Sequence, residues 1–329
     1  MFPKTLLAVS GALLTLLSAQ SAIAQSVLNK SAIDKSVINK SVLEKVAATG
    51  VLTAGTSKDA FPFAYADARG QLTGYSIEML SLIKSQVEKK VKRPVRLELV
   101  ALAPDDRIPK LRSRSVDIVC DAASFTWERD QAIDFTVSYG ITGTRLLAKK
   151  GTRSWEPADL AGRKIGALAK TTGEQAIRQA QPKAQIVLLK DRAAGYQALK
   201  DGTIDALADD GILLDAWLQK TASSQPSKPS QPSAQPNPQT YEIVGAPFSR
   251  EGIACMVPEN NSAFLDTANY SLIRFMQGLI QQKPFYVQIF DRWFGPQSVT
   301  PLTVDLKGLV LDTMQQVLDS KQAIPEREL

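Results

Sequence analysis

The 329-residue sequence contains no histidine. That absence excludes Ser-His-Asp and Cys-His catalysis and removes most zinc sites, because imidazole is the base or the ligand in each. Cysteine is scarce: Cys120 and Cys255 are the only two. An exported chain would meet an oxidising compartment in which they can pair, but sequence alone does not show whether their geometry allows a bond. Basic blocks are also missing. The 39 basic and 33 acidic residues give a formal charge of +6, yet the basic residues are scattered. Scattered charge reads as a solvated surface with a few functional arginines and predicts no nucleic-acid partner. After the first 24 residues, no apolar run is long enough to span a bilayer.

The N-terminus does carry an apolar run. Lys4 precedes "LLAVSGALLTLLSA" and then "SAIAQS". A charged n-region, an h-region and an Ala-x-Ala site predict a signal peptide over 1–24, cleaved after Ala24, and export to the periplasm. The alternative is an uncleaved anchor, for which the run is short. Residues 25–45 read as a low-complexity spacer. Serine recurs at Ser26, Ser31, Ser36 and Ser41, a period of five that matches neither helix nor strand. A second biased stretch, 221–240, is rich in Pro, Ser and Gln. It offers too little apolar surface to bury a core and reads as a surface excursion.

Between these stretches the pattern is regular. "GVLTAGTS" and "VRLELVAL" read as strands, "VDIVC" as a buried strand, and Ile77, Leu80, Ile83 and Val87 form a helical stripe. The order β-α-β-α-β predicts a parallel sheet with helices on both faces. A second set follows: "RKIGAL", "AQIVLLK" and "IDALADD" as strands, alternating with two helices. "GIACMVP" reads as one further strand, followed by a helix around 269–281.

The segments "GTSKDAFPFAYADARGQLTGYSIEML", "VDIVCDAASFTWERDQAIDFTVSY", "DLAGRKIGAL", "LKDGTIDALADD" and "DRWFG" occur in an order that resembles the family-3 extracellular solute-binding proteins. These are the amino-acid receptors of ABC importers. "DDRIPKL", "GTRLLAKKG" and "YEIVG" are most similar to the glutamate/aspartate-binding subgroup. The resemblance spans about residues 46–296 and implies a type II periplasmic-binding-protein fold, two α/β lobes joined by a two-strand hinge. It implies lobe 1 over 46–138 and 253–329, lobe 2 over 144–248, and hinges at 139–143 and 249–252. It makes a Cys120–Cys255 disulfide plausible beside the alternative of two buried thiols. It implies no cofactor, no catalytic residue, a monomer, and ABC permease subunits as partners.

A free amino acid carries a carboxylate and an ammonium, and burying either without a partner is costly, so a closed cleft must supply opposite charges. Ligands of open α/β sheets lie beyond the carboxyl ends of strands. Arg129 follows such an end, and guanidinium suits bidentate carboxylate binding. The resemblance makes it the anchor of the α-carboxylate, with a surface ion pair as the alternative. Ser124 and the backbone of Asp121 and Ala122 lie in the segment that contacts ligand in the family. Thr171 and Thr172 open a helix whose first amides favour an anion. The simpler role there is a helix cap.

Asp209 matches the carboxylate that pairs with the ammonium, with Asp210 as the candidate if the register shifts by one. Arg107 matches the arginine that meets a side-chain carboxylate. Ser57, with Lys58 beside it, stands where the subgroup has another arginine, and Arg192 where it has a histidine. Ala60 replaces a common stacking aromatic, which argues against bulky cationic ligands. The implied function is capture of an acidic or polar amino acid. The alternatives are a dehydratase acting on a prephenate-like acid, with Asp209 or Glu174 as general acid, and a free sensor for a signalling partner.

Overall fold

The computed structural model describes residues 41–151, 154–223, 240–321 and 323–329. The proposed signal peptide and most of the serine-repeat spacer lie outside these residues.

The first described element, helix α1 (Val42–Thr49), is set by Ser41. Its side chain accepts from the Glu44 amide while the Glu44 carboxylate accepts from the Ser41 amide, a reciprocal cap. Val42 and Val46 are buried and Lys45 pairs with Asp117 at 2.7 Å. The spacer boundary at 45 is therefore corrected. The last serine repeat starts a helix because its apolar residues find a core to cover.

The chain continues through β1 (Val51–Thr56), a small antiparallel sheet of β2 (Asp59–Ala60), β3 (Ala64–Ala66) and β4 (Leu72–Thr73), helix α2 (Tyr75–Val91) and β5 (Arg96–Ala101). Gly74 opens α2 at φ 141°, and a Cβ there would lie 2.2 Å from the Phe63 carbonyl oxygen, so only glycine fits. Next come α3 (Arg107–Arg112), β6 (Ile118–Val119), the short helix α4 (Trp127–Asp130) and β7 (Asp134–Phe135). The chain then leaves this layer along β8 (Gly140–Thr142).

The second layer holds β9 (Thr144–Lys149), β10 (Lys164–Leu168), α5 (Thr172–Ala180), β11 (Gln185–Leu189), α6 (Arg192–Asp201), β12 (Ala206–Asp210), α7 (Gly211–Ser223) and β13 (Tyr241–Val244). Helix α7 and Tyr241 run up to the Pro/Ser/Gln stretch, so the proposed excursion is shorter than 221–240. Its residues 224–239 lie outside the described ones. The return runs through β14 (Glu251–Ile253), β15 (Met256–Val257), α8 (Ser262–Ile280), α9 (Pro284–Phe294) and α10 (Val304–Asp319).

Two five-stranded sheets result, in the orders β5-β1-β6-β15-β7 and β11-β10-β12-β9-β13. In each, three neighbouring strands are parallel, β5-β1-β6 and β11-β10-β12. The fourth, β15 or β9, runs antiparallel. The all-parallel expectation is corrected, because the strands on either side of the crossing return in the opposite sense. "GIACMVP" is two strands, β14 in the crossing and β15 in the first sheet. The helix expected at 269–281 begins earlier, at Ser262, and α10 has no counterpart in the sequence reading.

The lobes are joined by β8 and β14, paired antiparallel with Gly140 opposite Ile253 and Thr142 opposite Glu251. A Cβ on Gly143 would lie 2.0 Å from the Ser249 carbonyl oxygen, so the two crossings pass backbone to backbone. Cys120 and Cys255 form a disulfide across a sequence separation of 135. That loop contains the whole second sheet, so the bond ties the two ends of the inserted lobe to the first.

Candidate functional site

The segment after β6 is held from several sides. Thr56 donates its hydroxyl to the Cys120 carbonyl at 2.7 Å, and Tyr139 donates to the Asp121 carbonyl at 2.6 Å. The Ala254 amide donates to the Ala123 carbonyl at 3.1 Å, and the Phe125 amide to that of Gly252 at 3.0 Å. Residues 120–125 are thereby fixed against the hinge strand β14. Asp121, Ala122 and Ser124 are all buried, and the Ser124 hydroxyl has no hydrogen-bond partner.

Arg129 stands on α4, whose N-cap Thr126 accepts from the Arg129 amide at 3.1 Å. Its guanidinium donates to the Ser124 carbonyl at 2.8 Å and to the Lys170 carbonyl at 3.1 Å. The first is in lobe 1 and the second in lobe 2, so the side chain bridges the cleft. Burial, and then repulsion from Arg107, pull its pKa below the ordinary arginine range.

On the opposite wall, α5 begins at Thr172. Thr171 is its cap: the hydroxyl donates to the Leu168 carbonyl and accepts from the Glu174 amide. Glu174 accepts from the Lys170 amide and from Arg178. Thr171 thus has the geometry of the capping alternative. Thr172 is half-buried at the first helical position.

Asp209 and Asp210 end β12. Successive strand side chains point to opposite faces, and here the two carboxylates have different company. Asp209 receives Arg192 Nε at 2.6 Å and Nη2 at 3.1 Å, and its Oδ1 also accepts the Asp210 amide. Both of its oxygens are therefore engaged. Asp209, the expected partner of the ammonium, is thus paired with Arg192, and Asp210 is the alternative one position on. Burial, then repulsion from Asp209 and Glu251, raise Asp210 to a pKa of about 8. Thr144 stands opposite it in the β9–β12 register, buried and with its hydroxyl unpartnered. The Gly211 amide donates to the Gly143 carbonyl at 2.9 Å, which holds this strand end over the hinge.

Arg192 opens α6, capped by Asp191. Besides Asp209 it reaches across to lobe 1, where Asp59 accepts its amide at 3.0 Å and Nη1 at 3.2 Å. Burial works against its charge, but Asp209 and Asp59 outweigh it and push its pKa above the ordinary range. Ser57 donates to Asp59 at 2.9 Å and so positions that carboxylate. Lys58 is exposed and lines a cavity of about 230 Å³ at the cleft edge, with Phe61, Tyr65 and Trp217. Arg107 is buried in lobe 1 against Asp121.

The structure therefore gathers Arg107, Asp121, Ser124, Arg129 and Asp210 towards one space and sets Arg192, Asp209, Asp59 and Ser57 in a neighbouring brace. Sequence reasoning missed Asp59, Thr144 and Glu251. Asp59 lies just past the end of β1, so the strand-end rule was a usable signal for it. Glu251 and Thr144 carried no such signal.

Two α/β lobes on a two-strand hinge, with the half-buried Arg129 and the buried Asp210 near the junction of the lobes, define a type II periplasmic-binding-protein fold. The chain belongs to the bacterial extracellular solute-binding proteins, family 3, whose model matches residues 52–296. It is 26% identical over 275 residues to the glutamate/aspartate import solute-binding protein of Salmonella typhimurium, covering 82% of this chain and 84% of that one. It is 27% identical over 284 residues to the L-glutamate/L-aspartate-binding protein of Pseudomonas aeruginosa, covering 84% and 86%. Among solved structures it is similar to an ancestral arginine-binding protein bound to glutamine, with a TM-score of 0.62 and 26% identity over 75% of this chain and 98% of that one.

Proposed function

We propose that this protein captures a free α-amino acid of the acidic or polar class between its lobes in the periplasm and delivers it to the permease of an ABC importer. The observation that carries this reading is Arg129, whose guanidinium reaches both lobes with Asp210 close enough to act on it electrostatically. Arg129 forms no ion pair among the described residues and already spans both lobes. Asp210 is a buried acid that holds its proton near neutrality. An α-carboxylate completes the first and an ammonium ionises the second, so one zwitterion satisfies both charges that the fold leaves open. Thr172 and the first amides of α5 add donors to the same carboxylate from lobe 2. Because the ligand touches both lobes, it favours the closed arrangement over the open one.

The dehydratase alternative needs a proton donor at the substrate. Glu174 is committed to the α5 cap and Asp209 to Arg192. Asp210 is the acid left for that role, and a turnover assay with prephenate-like acids tests it.

The capture reading is tested by a thermal-shift screen of the common amino acids, followed by calorimetric titration. A ligand at 100-fold excess over its Kd stabilises by about 2.7 kcal/mol. Failure of every amino acid to shift the transition rejects the reading.

A further inference from the structure

The cleft holds three arginines, Arg107, Arg129 and Arg192, but it does not hold three free charges. Arg192 faces Asp209 and Asp59. Arg107 Nη2 lies 2.7 Å from Asp121 Oδ2, with side-chain exposures of 5% and 0%. Arg129 alone of the three meets only backbone carbonyls among the described residues. On the amino-acid capture reading, its charge is taken by the α-carboxylate that every such ligand carries.

A dicarboxylic ligand brings a second carboxylate, which needs a second cation. Arg107 is placed in lobe 1 close enough to Arg129 to repel it, so it is the cation within reach. Asp121 already holds it. A ligand carboxylate arriving there would meet the Asp121 carboxylate in a desolvated space, and like charges that close disfavour each other strongly. The Arg107–Asp121 contact is also close but misaligned: Arg107 Nε and both Asp121 oxygens lack a completed hydrogen bond. The pair thus supplies electrostatic neutralisation and retains unused donor and acceptor capacity. An uncharged polar side chain offers both donors and acceptors, whereas a carboxylate offers only acceptors. Glu251 adds to the same exclusion. It acts electrostatically on Arg129 and Asp210, and its Oε2 is buried without a partner.

We propose that Asp121 is a specificity-determining residue: by masking Arg107 it excludes acidic side chains and restricts the cleft to amino acids whose single carboxylate is the α-carboxylate. This rests on the capture reading and narrows it from the acidic or polar class to the uncharged polar one. A site with a built-in repulsive element against the competitor discriminates more sharply than attraction alone.

The test compares glutamine with glutamate, and asparagine with aspartate, by calorimetric titration of the parent, Asp121→Asn and Asp121→Ser at fixed pH and ionic strength. Asp121→Asn keeps the side-chain size and the backbone carbonyl that Tyr139 reaches. The parent is expected to bind the amide of a pair tighter than the acid by about tenfold or more. Both variants are expected to move the ratio towards the acid by about tenfold or more, because Arg107 is then free to form a charge-assisted pair. If the parent prefers another monocarboxylic amino acid, that ligand replaces the amide in the comparison with glutamate. A parent that prefers the acid overturns the proposal even if neither variant folds. So does an unchanged ratio in variants that still bind. If no amino acid binds the parent, the capture reading falls first and takes this proposal with it.

Discussion

Arg129 and Arg192 each reach from their own lobe to the other, yet they are held in opposite ways. Arg192 is gripped by Asp209 through two nitrogens and by Asp59 from the other lobe. Its positive charge is neutralised within the chain, and its pKa is pushed up. Arg129 donates only to two carbonyl oxygens, and its pKa is pulled down. A buried ion needs a counter-charge from somewhere. For Arg192 the fold provides it, so the residue braces the lobes. For Arg129 the described residues supply none, and on the capture reading the ligand's α-carboxylate does. The two acids of β12 divide in the same manner, with Asp209 consumed by the brace and Asp210 left open.

The contrast is broken most directly at Arg129. Removing one member of a desolvated charge pair costs about 3–5 kcal/mol, which is roughly two to three orders of magnitude in affinity. Arg129→Ala is expected to weaken every amino-acid ligand by that amount while the thermal transition of the unliganded protein stays close to the parent's. Arg129→Lys should recover only part, because an ammonium keeps the charge without the fork. Binding within about threefold of the parent, on titration of the best ligand, would make Arg129 a structural residue like Arg192.

A smaller and graded effect is expected from pH. An ammonium favours ionised Asp210, whose pKa in the unliganded protein is about 8. Ligand binding below that value releases a proton, and affinity should rise by up to about tenfold per pH unit before flattening above pH 8. The sign for the unliganded fold is the reverse. The Asp210 pKa lies above that of a free aspartate, so its contribution to stability is complete in acid. It is lost as pH rises from about 4 through about 8. Calorimetry in two buffers of different ionisation enthalpy counts the proton. Absence of release at pH 7 would mean that the ammonium lies elsewhere.

The smallest effect is expected at the brace. Asp59→Ala removes the contact between lobes but leaves Asp209 on Arg192. The Asp59 side chain is 25% exposed, and partly solvated pairs contribute modestly. Affinity for all ligands should fall by about tenfold or less, mainly through faster dissociation. Stopped-flow measurement of both rates checks this. A loss as large as that of Arg129→Ala would show that Asp59 touches the ligand.

Much of this arrangement is legible in the sequence for a simple reason. Strand ends are written locally, in runs such as "VDIVC" and "IDALADD", and ligands gather beyond them. Arg129, Ser124 and Thr172 become candidates that way. Asp209 and Asp210 are harder to tell apart. All five residues of β12 are buried, so no alternation of polar and apolar positions marks which acid faces the cleft. Thr171 is ambiguous because a helix-capping threonine and an anion-binding threonine have the same sequence signature. The Ser41 repeat misleads because a period of five hides the one copy whose valines meet a core.

Through its resemblance the sequence implied the fold class; by itself it determined the alternation of most strands and helices and the chemical types available to the site. These follow from periodicity, from turn and cap residues, and from the lack of histidine, all of which are local or compositional. Tertiary structure alone decided who pairs with whom. Along the chain, Arg107 and Asp121 are 14 positions apart, Arg192 and Asp209 17 apart, and Asp59 and Arg192 133 apart. Nothing in composition assigns one carboxylate to one guanidinium. Coulomb energy in a desolvated cleft depends on distances of a few ångströms and on the solvent left around each group, and only the packing of two lobes about a hinge sets those.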